Sequence, residues 1–352
     1  MKIANVFLGK TLGGIEQAFL DYTQALRLKG YDVVDFVHKD GLLKDKIPLE
    51  VRKRELPFRK RSPVTFYYLF QTVKSEKPDL ILVHYKNSLG MFRLIGKISG
   101  IPVVGVAHNP KTKHIIKSDF IFSITEYQRR IFIEAGYPSD RIFVVPNMID
   151  ADEPFKAFDG FQNPPVIGAI GRFDPMKGFD TFVEALGILK KKGIKFRAKI
   201  AGAANKSYED FYKKVLDLIS QNHLEEDIEL SGWTDDKKSF YEGLDIFVMP
   251  SNFEPFGIVV LEALKYSRPT VSSTAEGPLE IFSGTDAAVM FEKGNAKALA
   301  DALEKLLSDL PLAAKCAEKG WHLLKERYDL RTSGAATLDK AVSSVFKQLG
   351  KA

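Results

Sequence analysis

DIFVMPSNFEPFGIVVLEALKYS, residues 245–267, holds one full period of the pattern that runs through this chain. DIFVMP is a short apolar run ending at proline and reads as a buried strand. SNFEPFG is a loop, punctuated by Pro255 and Gly257. From there the apolar residues fall at helical spacing as far as KYS, so an amphipathic helix follows. Strand, loop and helix in that order build a parallel sheet with helices on its faces. The stretch also poses a chemical question. Glu254 and Glu262 bracket a strongly apolar run, yet carboxylates are rarely buried without a partner.

The alternation extends both ways. KIANVFL, DVVDFVH, LILVH, VVGVAH, FIFSIT and IFVVP read as strands of the first half, and VIGAIG, FRAKIAG, IELSG, IFVMP and TVSS as strands of the second. Helical patterns separate them. IEQAFLDYTQALRLKG and SLGMFRLIGKISG both end at glycine, a common helix terminator. FDTFVEALGILKKKG, SYEDFYKKVLDLISQNH and AKALADALEKLLSDL follow in the second half. At 352 residues the chain is too long for one ordinary core. Two doubly wound α/β domains are expected, 1–150 and 164–331, joined through the polar DADEPFKAFDGFQNPP at about 150–165. A last helix is expected within 332–352.

Hydrophobic content of 45% and charged content of 27% belong to a soluble globular protein. The single cysteine, Cys316, excludes an internal disulfide and suits a reducing compartment. MKIANVFLGKTLGG reads as a first strand rather than a secretory signal. No apolar run approaches the ~20 residues needed to span a bilayer. Residues 1–150 hold 24 Lys and Arg against 15 Asp and Glu, while the remainder is slightly acidic. The basic excess is densest in VRKRELPFRKRS, 51–62. The charges at 52–61 read either as a patch for an anionic membrane surface or acidic acceptor, or as a solvated loop before a helix. No nucleic-acid-binding motif accompanies them, so no nucleic-acid partner is expected.

Three segments carry candidate chemistry. In GKTLGGIEQAF, Gly13 and Gly14 sit between strand and helix, where backbone N–H groups can approach a phosphate. The spacing is not GxGxxG, and no acidic residue ends the second strand for a ribose, so a dinucleotide fingerprint is absent. In VIGAIGRFDPMKGFD, Arg172 and Lys177 follow a strand end beside a helix start, a placement that suits a diphosphate. The structural alternative is two surface cations on a loop. In EPFGIVVLE, Glu254 stands beyond a strand end, Gly257, Ile258 and Val259 offer the free N–H groups of a helix start, and Glu262 lies about one turn in. That segment offers two hydroxyl acceptors and a phosphate cradle, or else a capped helix with one buried salt bridge.

Taken together and in order, GGIE near 13, VVPNMID at 144–150, GRFDPMKG at 171–178, EPFG…E at 254–262 and EGPLEI at 276–281 resemble the retaining glycosyltransferases of family 4. The resemblance covers nearly the whole chain. It implies the GT-B fold, two Rossmann-like domains facing a central cleft, with acceptor bound by the N-terminal domain and nucleotide sugar by the C-terminal one. It also implies that the last helix packs on the N-terminal domain. Carried over by position, Arg172 and Lys177 neutralise the diphosphate and Glu254 binds donor-sugar hydroxyls. Glu262 binds the ribose, and Gly14, Phe256, Gly257, Ile258 and Val259 complete the donor site. His108, in VVGVAHNP, lies by the donor sugar. Glu16 and Asn109 are the acceptor-side candidates. Base recognition is expected from backbone near 202–205 and 232–234. His84 is read as an orienting or packing residue. Two departures stand out: Met148 replaces a usual glycine, and AEGPLE replaces a commoner double-glycine form.

The implied reaction is metal-independent transfer of a hexose from a UDP- or GDP-linked donor to a saccharide or lipid-linked acceptor, with retention, as in lipopolysaccharide-core or other cell-envelope glycan synthesis. No cofactor is implied. Asp150 and Asp152 form a DxD in sequence but overlap the join between domains, which favours a structural role. The expected location is cytoplasmic, peripheral on the inner membrane face for a lipid-linked acceptor. A sugar-nucleotide epimerase on the same fold would also need the cationic crevice, without an acceptor. A non-catalytic nucleotide-sugar-binding subunit would bind donor and transfer nothing.

Overall fold

The computed structural model describes residues 1–10, 13–60, 62–204 and 206–351. Thr11 and Leu12 of the glycine turn, Arg61 of the basic stretch, Asn205 and Ala352 lie outside the described residues. The chain divides into two compact units, 1–150 with 328–352, and 151–327.

The first unit begins with β1 (Lys2–Phe7), α1 (Gly14–Leu28), β2 (Asp32–His38) and β3 (Arg52–Leu56). It continues with α2 (Pro63–Glu76), β4 (Leu80–Val83), α3 (Lys86–Ser99), β5 (Val103–Ala107) and the single turn α4 (Thr112–Ile115). β6 (Phe120–Ser123), α5 (Glu126–Glu134) and β7 (Ile142–Val144) complete the alternation. The sheet order is β3-β2-β1-β4-β5-β6-β7, with every neighbouring pair parallel. Such strands are covered on both faces, which is why LILV and VVGVA read as unbroken apolar runs.

The second unit carries β8 (Val166–Ile170), α6 (Phe179–Lys191), β9 (Arg197–Ala201), α7 (Glu209–Gln221), β10 (Ile228–Gly232) and α8 (Lys237–Glu242). Then come β11 (Ile246–Met249), α9 (Ile258–Lys265), β12 (Thr270–Ser273), α10 (Glu276–Ile281), β13 (Val289–Phe291), α11 (Ala296–Ser308) and α12 (Leu310–Arg327). Its order is β10-β9-β8-β11-β12-β13, again parallel throughout. In both sheets the chain reverses its direction of strand addition once, between β1 and β4 and between β8 and β11. Loops leaving the carboxyl ends of those strands diverge, and ligand crevices of open α/β sheets form there.

α13 (Ala335–Gln348) returns to the first unit. Its Leu338, Val342, Val345 and Phe346 are buried in one cluster with Tyr22, Ala25 and Leu26 of α1. Tyr31 Oη donates to Asp339 Oδ1 at 2.7 Å.

Two expectations need correction. The boundary between the units falls at 150/151, inside the expected join, but 151–163 belongs to the second unit, which ends at Arg327 rather than at 331. Phe158 is buried in the second unit's core, and Gln162 N donates to Asp245 Oδ1 at 3.2 Å. The basic run is not wholly a loop or a patch either, because Arg52–Leu56 is the edge strand β3. Arg54 (2.5 Å), Arg52 (3.5 Å) and Lys2 (2.5 Å) converge on the buried carboxylate of Glu76. Burial pushes the Glu76 pKa up, but hydrogen bonds from Lys2 and Arg54 outweigh it and hold it below the usual range. These charges blunt an open sheet edge and pin α2 to it.

Candidate functional site

The second unit's crevice is built by two loops laid on each other. Gly178 follows β8 with φ 67°, and a Cβ there would lie 2.0 Å from the Pro250 carbonyl oxygen beyond β11. Only glycine permits that approach. Asn252 N and Phe253 N donate to the Met176 oxygen at 2.8 and 3.2 Å, and Asn252 Nδ2 donates to the Pro175 oxygen at 3.0 Å. The buried Asp174 caps the turn by accepting from Met176 N at 3.0 Å. Seventy-seven residues apart in sequence, Lys177 Nζ and Glu254 Oε2 meet at 2.6 Å. Arg172 keeps a mostly exposed side chain, with Nε 3.5 Å from Asp174 Oδ2.

A second face holds the EPFG loop. Gly277 N donates to the Glu254 carbonyl at 2.9 Å. A Cβ at Gly277 would come within 2.3 Å of the Phe256 backbone. Glu276 accepts from Glu254 N at 3.5 Å and pairs with Lys293 at 2.7 Å. Phe256 is buried, and Gly257 caps α9 with φ 108°, a left-handed conformation that glycine adopts without strain. Ile258 and Val259 then open α9, so their N–H groups, with that of Gly257, lie at the positive end of the helix.

The apolar run of α9 buries Val260, Leu261, Ala263 and Leu264. Glu262 is buried beside them because it has two partners: Lys237 Nζ on Oε1 and Tyr241 Oη, which donates to Oε2 at 2.9 Å. Burial first, and the Glu262 charge second, push the Tyr241 phenol well above its ordinary pKa, so it serves only as a donor near neutrality. The two glutamates thus have separate cationic partners. Lys237, Tyr241 and Lys293 escape a reading of the sequence, since each lies outside any motif, and Glu276 opens the EGPLEI motif without a role assigned from it; all four meet their partners only through the fold.

Gly202 N donates to the Gly232 oxygen at 2.7 Å, so the two stretches expected near the base are adjacent. A Cβ at Gly202 would lie 1.8 Å from the Gly171 oxygen.

In the first unit, β4 leads into His84 and β5 into His108. His84 Nδ1 lies 3.0 Å from His108 Nε2, with the rings stacked at 5.1 Å. Edge-on contacts with Phe19 and Tyr22 fix the His84 ring. Burial lowers the His84 pKa well below 6.5, aided by His108, and burial brings His108 down to about 4. Both imidazoles are therefore neutral at pH 7 and share one hydrogen across this contact, leaving His108 Nδ1 for another partner. Gly14 is the first residue of α1, and Glu16 is buried in its first turn. Asn109 Oδ1 accepts from Lys111 N at 3.1 Å.

The DxD aspartates divide between the units. Asp150 receives a bidentate pair from Arg331, both bonds 2.7 Å, and Asp152 pairs with Lys265 at 2.5 Å. Met148 is buried against Gly334, where a Cβ would lie 2.7 Å from its own. The larger residue at 148 is matched by none at 334.

Known proteins match along the whole chain. Residues 12–153 fit the family described as Glycosyltransferase Family 4, and residues 150–322 fit Glycosyl transferases group 1. The lipopolysaccharide core biosynthesis glycosyltransferase LpsE of Rhizobium meliloti (strain 1021) is 25% identical over 92% of this chain and 94% of its own. LpsD of the same organism is 24% identical over 99% and 100%. Anabaena Alr3699/HepE, solved with UDP and glucose, superposes with a TM-score of 0.81 at 18% identity, covering 99% of this chain and 100% of that one. The chain belongs to the GT-B glycosyltransferases, combining a family 4 domain with a group 1 domain.

Proposed function

We propose that the protein is a retaining, metal-independent hexosyltransferase that moves a sugar from a UDP- or GDP-linked donor to a hydroxyl of a saccharide or lipid-linked acceptor. The carrying observation is the β8/β11 crevice, where Arg172, Lys177, Glu254 and the start of α9 converge. The bond from the anomeric carbon to the diphosphate breaks, and one to the acceptor oxygen forms. The acceptor proton goes to the departing phosphate oxygen, on the same face. Arg172 and Lys177 stabilise the leaving diphosphate as fixed charges, a large catalytic contribution in a site shielded from water. Glu254 takes sugar hydroxyls. Glu262, oriented by Tyr241, takes the ribose. His108, neutral, is a hydrogen-bond partner for the sugar rather than an acid. The lipopolysaccharide-core and other cell-envelope relatives favour an envelope glycan as acceptor. No described helix is long and apolar enough to cross a membrane.

The test is a thermal-shift screen of wild type and Glu262→Ala against UDP, GDP, ADP and their sugar conjugates. A native-state ligand at 100 times its Kd adds about 2.7 kcal/mol. One base should stabilise the wild type, with a smaller shift for Glu262→Ala. No shift with any nucleotide would refute the assigned donor site. Transfer should then be measured with acceptor present, because conversion of the donor sugar without acceptor would mark an epimerase.

A further inference from the structure

His84 has no part in the reaction described above. It follows β4 as His108 follows β5, and its backbone N donates to the Val6 oxygen at 3.0 Å, so pairing with β1 fixes where the side chain starts. The side chain is buried, whereas that of His108 is half-buried. One edge of the His84 ring meets His108, Nδ1 to Nε2 at 3.0 Å. Elsewhere it meets the rings of Phe19 and Tyr22 at 79° and 87°. Nε2 is buried with no hydrogen-bond partner among the described residues. A ring kept only for packing gains nothing from two polar nitrogens, whose burial costs free energy.

Two neutral imidazoles share one N–H across such a contact, and two arrangements are open. If His108 Nε2 donates, His84 Nδ1 accepts and the His84 hydrogen sits on Nε2, a buried N–H without an acceptor. If His84 Nδ1 donates, its N–H is satisfied and only a lone pair is left at Nε2. Orphaned buried N–H groups are rarer than under-used acceptors, which favours the second arrangement. That arrangement also fixes His108: with Nε2 accepting, its hydrogen sits on Nδ1, the nitrogen not engaged by His84. We propose that His84 is a positioning residue for glycosyl transfer, its Nδ1–H holding His108 in the Nδ1–H tautomer so that His108 meets the donor sugar as a hydrogen-bond donor. This role rests on the reading of His108 as the sugar's partner, and it gives that partner a polarity. His108 offers a hydrogen to a sugar oxygen and has no free lone pair with which to take the acceptor's proton.

The test is long-range proton–nitrogen NMR of the full chain with nitrogen-15 histidine, near neutral pH and without substrate. Six histidines give six ring patterns, and His84→Leu and His108→Gln identify the two in question by loss. Both rings should be neutral with the hydrogen on Nδ1, the rarer tautomer of free imidazole. In His84→Leu the His108 hydrogen should move to Nε2. In His84→Asn, whose amide can donate from near the place of Nδ1, it should stay on Nδ1. Calorimetry then follows UDP with UDP-glucose, and GDP with GDP-mannose. His84→Leu should bind the free nucleotide as the wild type does and the conjugate about five-fold more weakly, the loss of one hydrogen bond. His84→Asn should recover most of that loss. His108 found as the Nε2–H tautomer in the wild type, a His108 tautomer unchanged in His84→Leu, or equal weakening of the conjugate by Leu and Asn would overturn the inference. The tautomer is read without substrate, so it stands or falls apart from the donor assignment, which free-nucleotide binding by the wild type decides.

Discussion

The contact between Lys177 and Glu254 supports a test that separates a structural ion pair from a diphosphate site. Their charged atoms lie 2.6 Å apart, with side chains 21% and 11% exposed. At an effective dielectric of 20, the attraction at that distance is roughly 6 kcal/mol, of which desolvation cancels more than half. A coupling of about 2 kcal/mol remains. Lys177→Met leaves a nearly buried carboxylate unpaired and should cost about 3 kcal/mol of stability. Lys177→Met/Glu254→Gln should cost about 2 kcal/mol less than the two single changes together, measured by urea unfolding. Binding should split differently. Lys177→Met removes a charge-assisted bond to phosphate, about 2 kcal/mol, so nucleoside diphosphate affinity falls roughly thirty-fold by calorimetry. Glu254→Gln removes a competitor for Lys177 and should leave diphosphate affinity unchanged or higher, while lowering turnover of the sugar conjugate. If both variants weaken diphosphate binding equally, in proportion to their loss of stability, the pair only holds two loops together and the cationic crevice is misassigned. If the unfolding energies add, the pair is not coupled at all.

Four further outcomes follow from particular residues. Tyr241→Phe strips the neutral donor from Glu262 and should destabilise the second unit by about 1.5–3 kcal/mol, read by urea unfolding, while weakening nucleotide binding less than Glu262→Ala does. Gly178→Ala combines a left-handed φ with a Cβ 2.0 Å from a carbonyl oxygen. It should cost more than about 2 kcal/mol and reduce transfer activity by shifting Lys177. Burial raises the Asp35 carboxyl from 3.8 to about 7, so the folded state holds its proton more tightly and stability falls as pH rises through that window. Asp35→Asn, which keeps an acceptor for Thr23, should therefore stabilise the protein by about 1–3 kcal/mol at pH 8 and little at pH 4. His108, lowered to about 4, acts with the opposite sign and is neutral above about pH 5. Its contribution is lost as pH falls from 6.5 toward 4, and activity should not titrate with it between pH 6 and 8.

The alternation of the two sheets was legible because buried parallel strands leave an unbroken apolar signature and their helices a periodic one. β3 was not, since RKREL is charged at four of its five positions and an edge strand needs no apolar face. β13 escaped because its three residues carry no period and, unlike β7 in IFVVP, the run is not closed by a proline. The motif residues were legible where glycine and proline punctuate strand ends. Their partners were not. Lys237 and Lys238 are neighbours in one short helix, yet Lys237 meets Glu262 and Lys238 meets Glu153. No local property of DDKKS separates them, because the choice is made by where α8 lies against α9.

That limit also explains why the candidate site is compact although its residues are not. Lys177 and Glu254 belong to different strand–helix units, and one sequence cannot show that they touch. They touch because β8 and β11 are neighbours in the sheet, so the loops leaving them start side by side, and because Gly178 and Gly277 let backbone lie on backbone where any side chain would hold the loops apart. The same reasoning applies to His84 and His108, which end the adjacent strands β4 and β5. The topology thus assigns each unit one charged or hydrogen-bonding pair beside its own switch point. It also bears on the departure at Met148. The usual glycine would have been explained by backbone approach, but here the approach is made by Gly334 from the returning segment. Gly334 leaves the room that the Met148 side chain fills, so the larger residue at 148 is accommodated beside the returning segment.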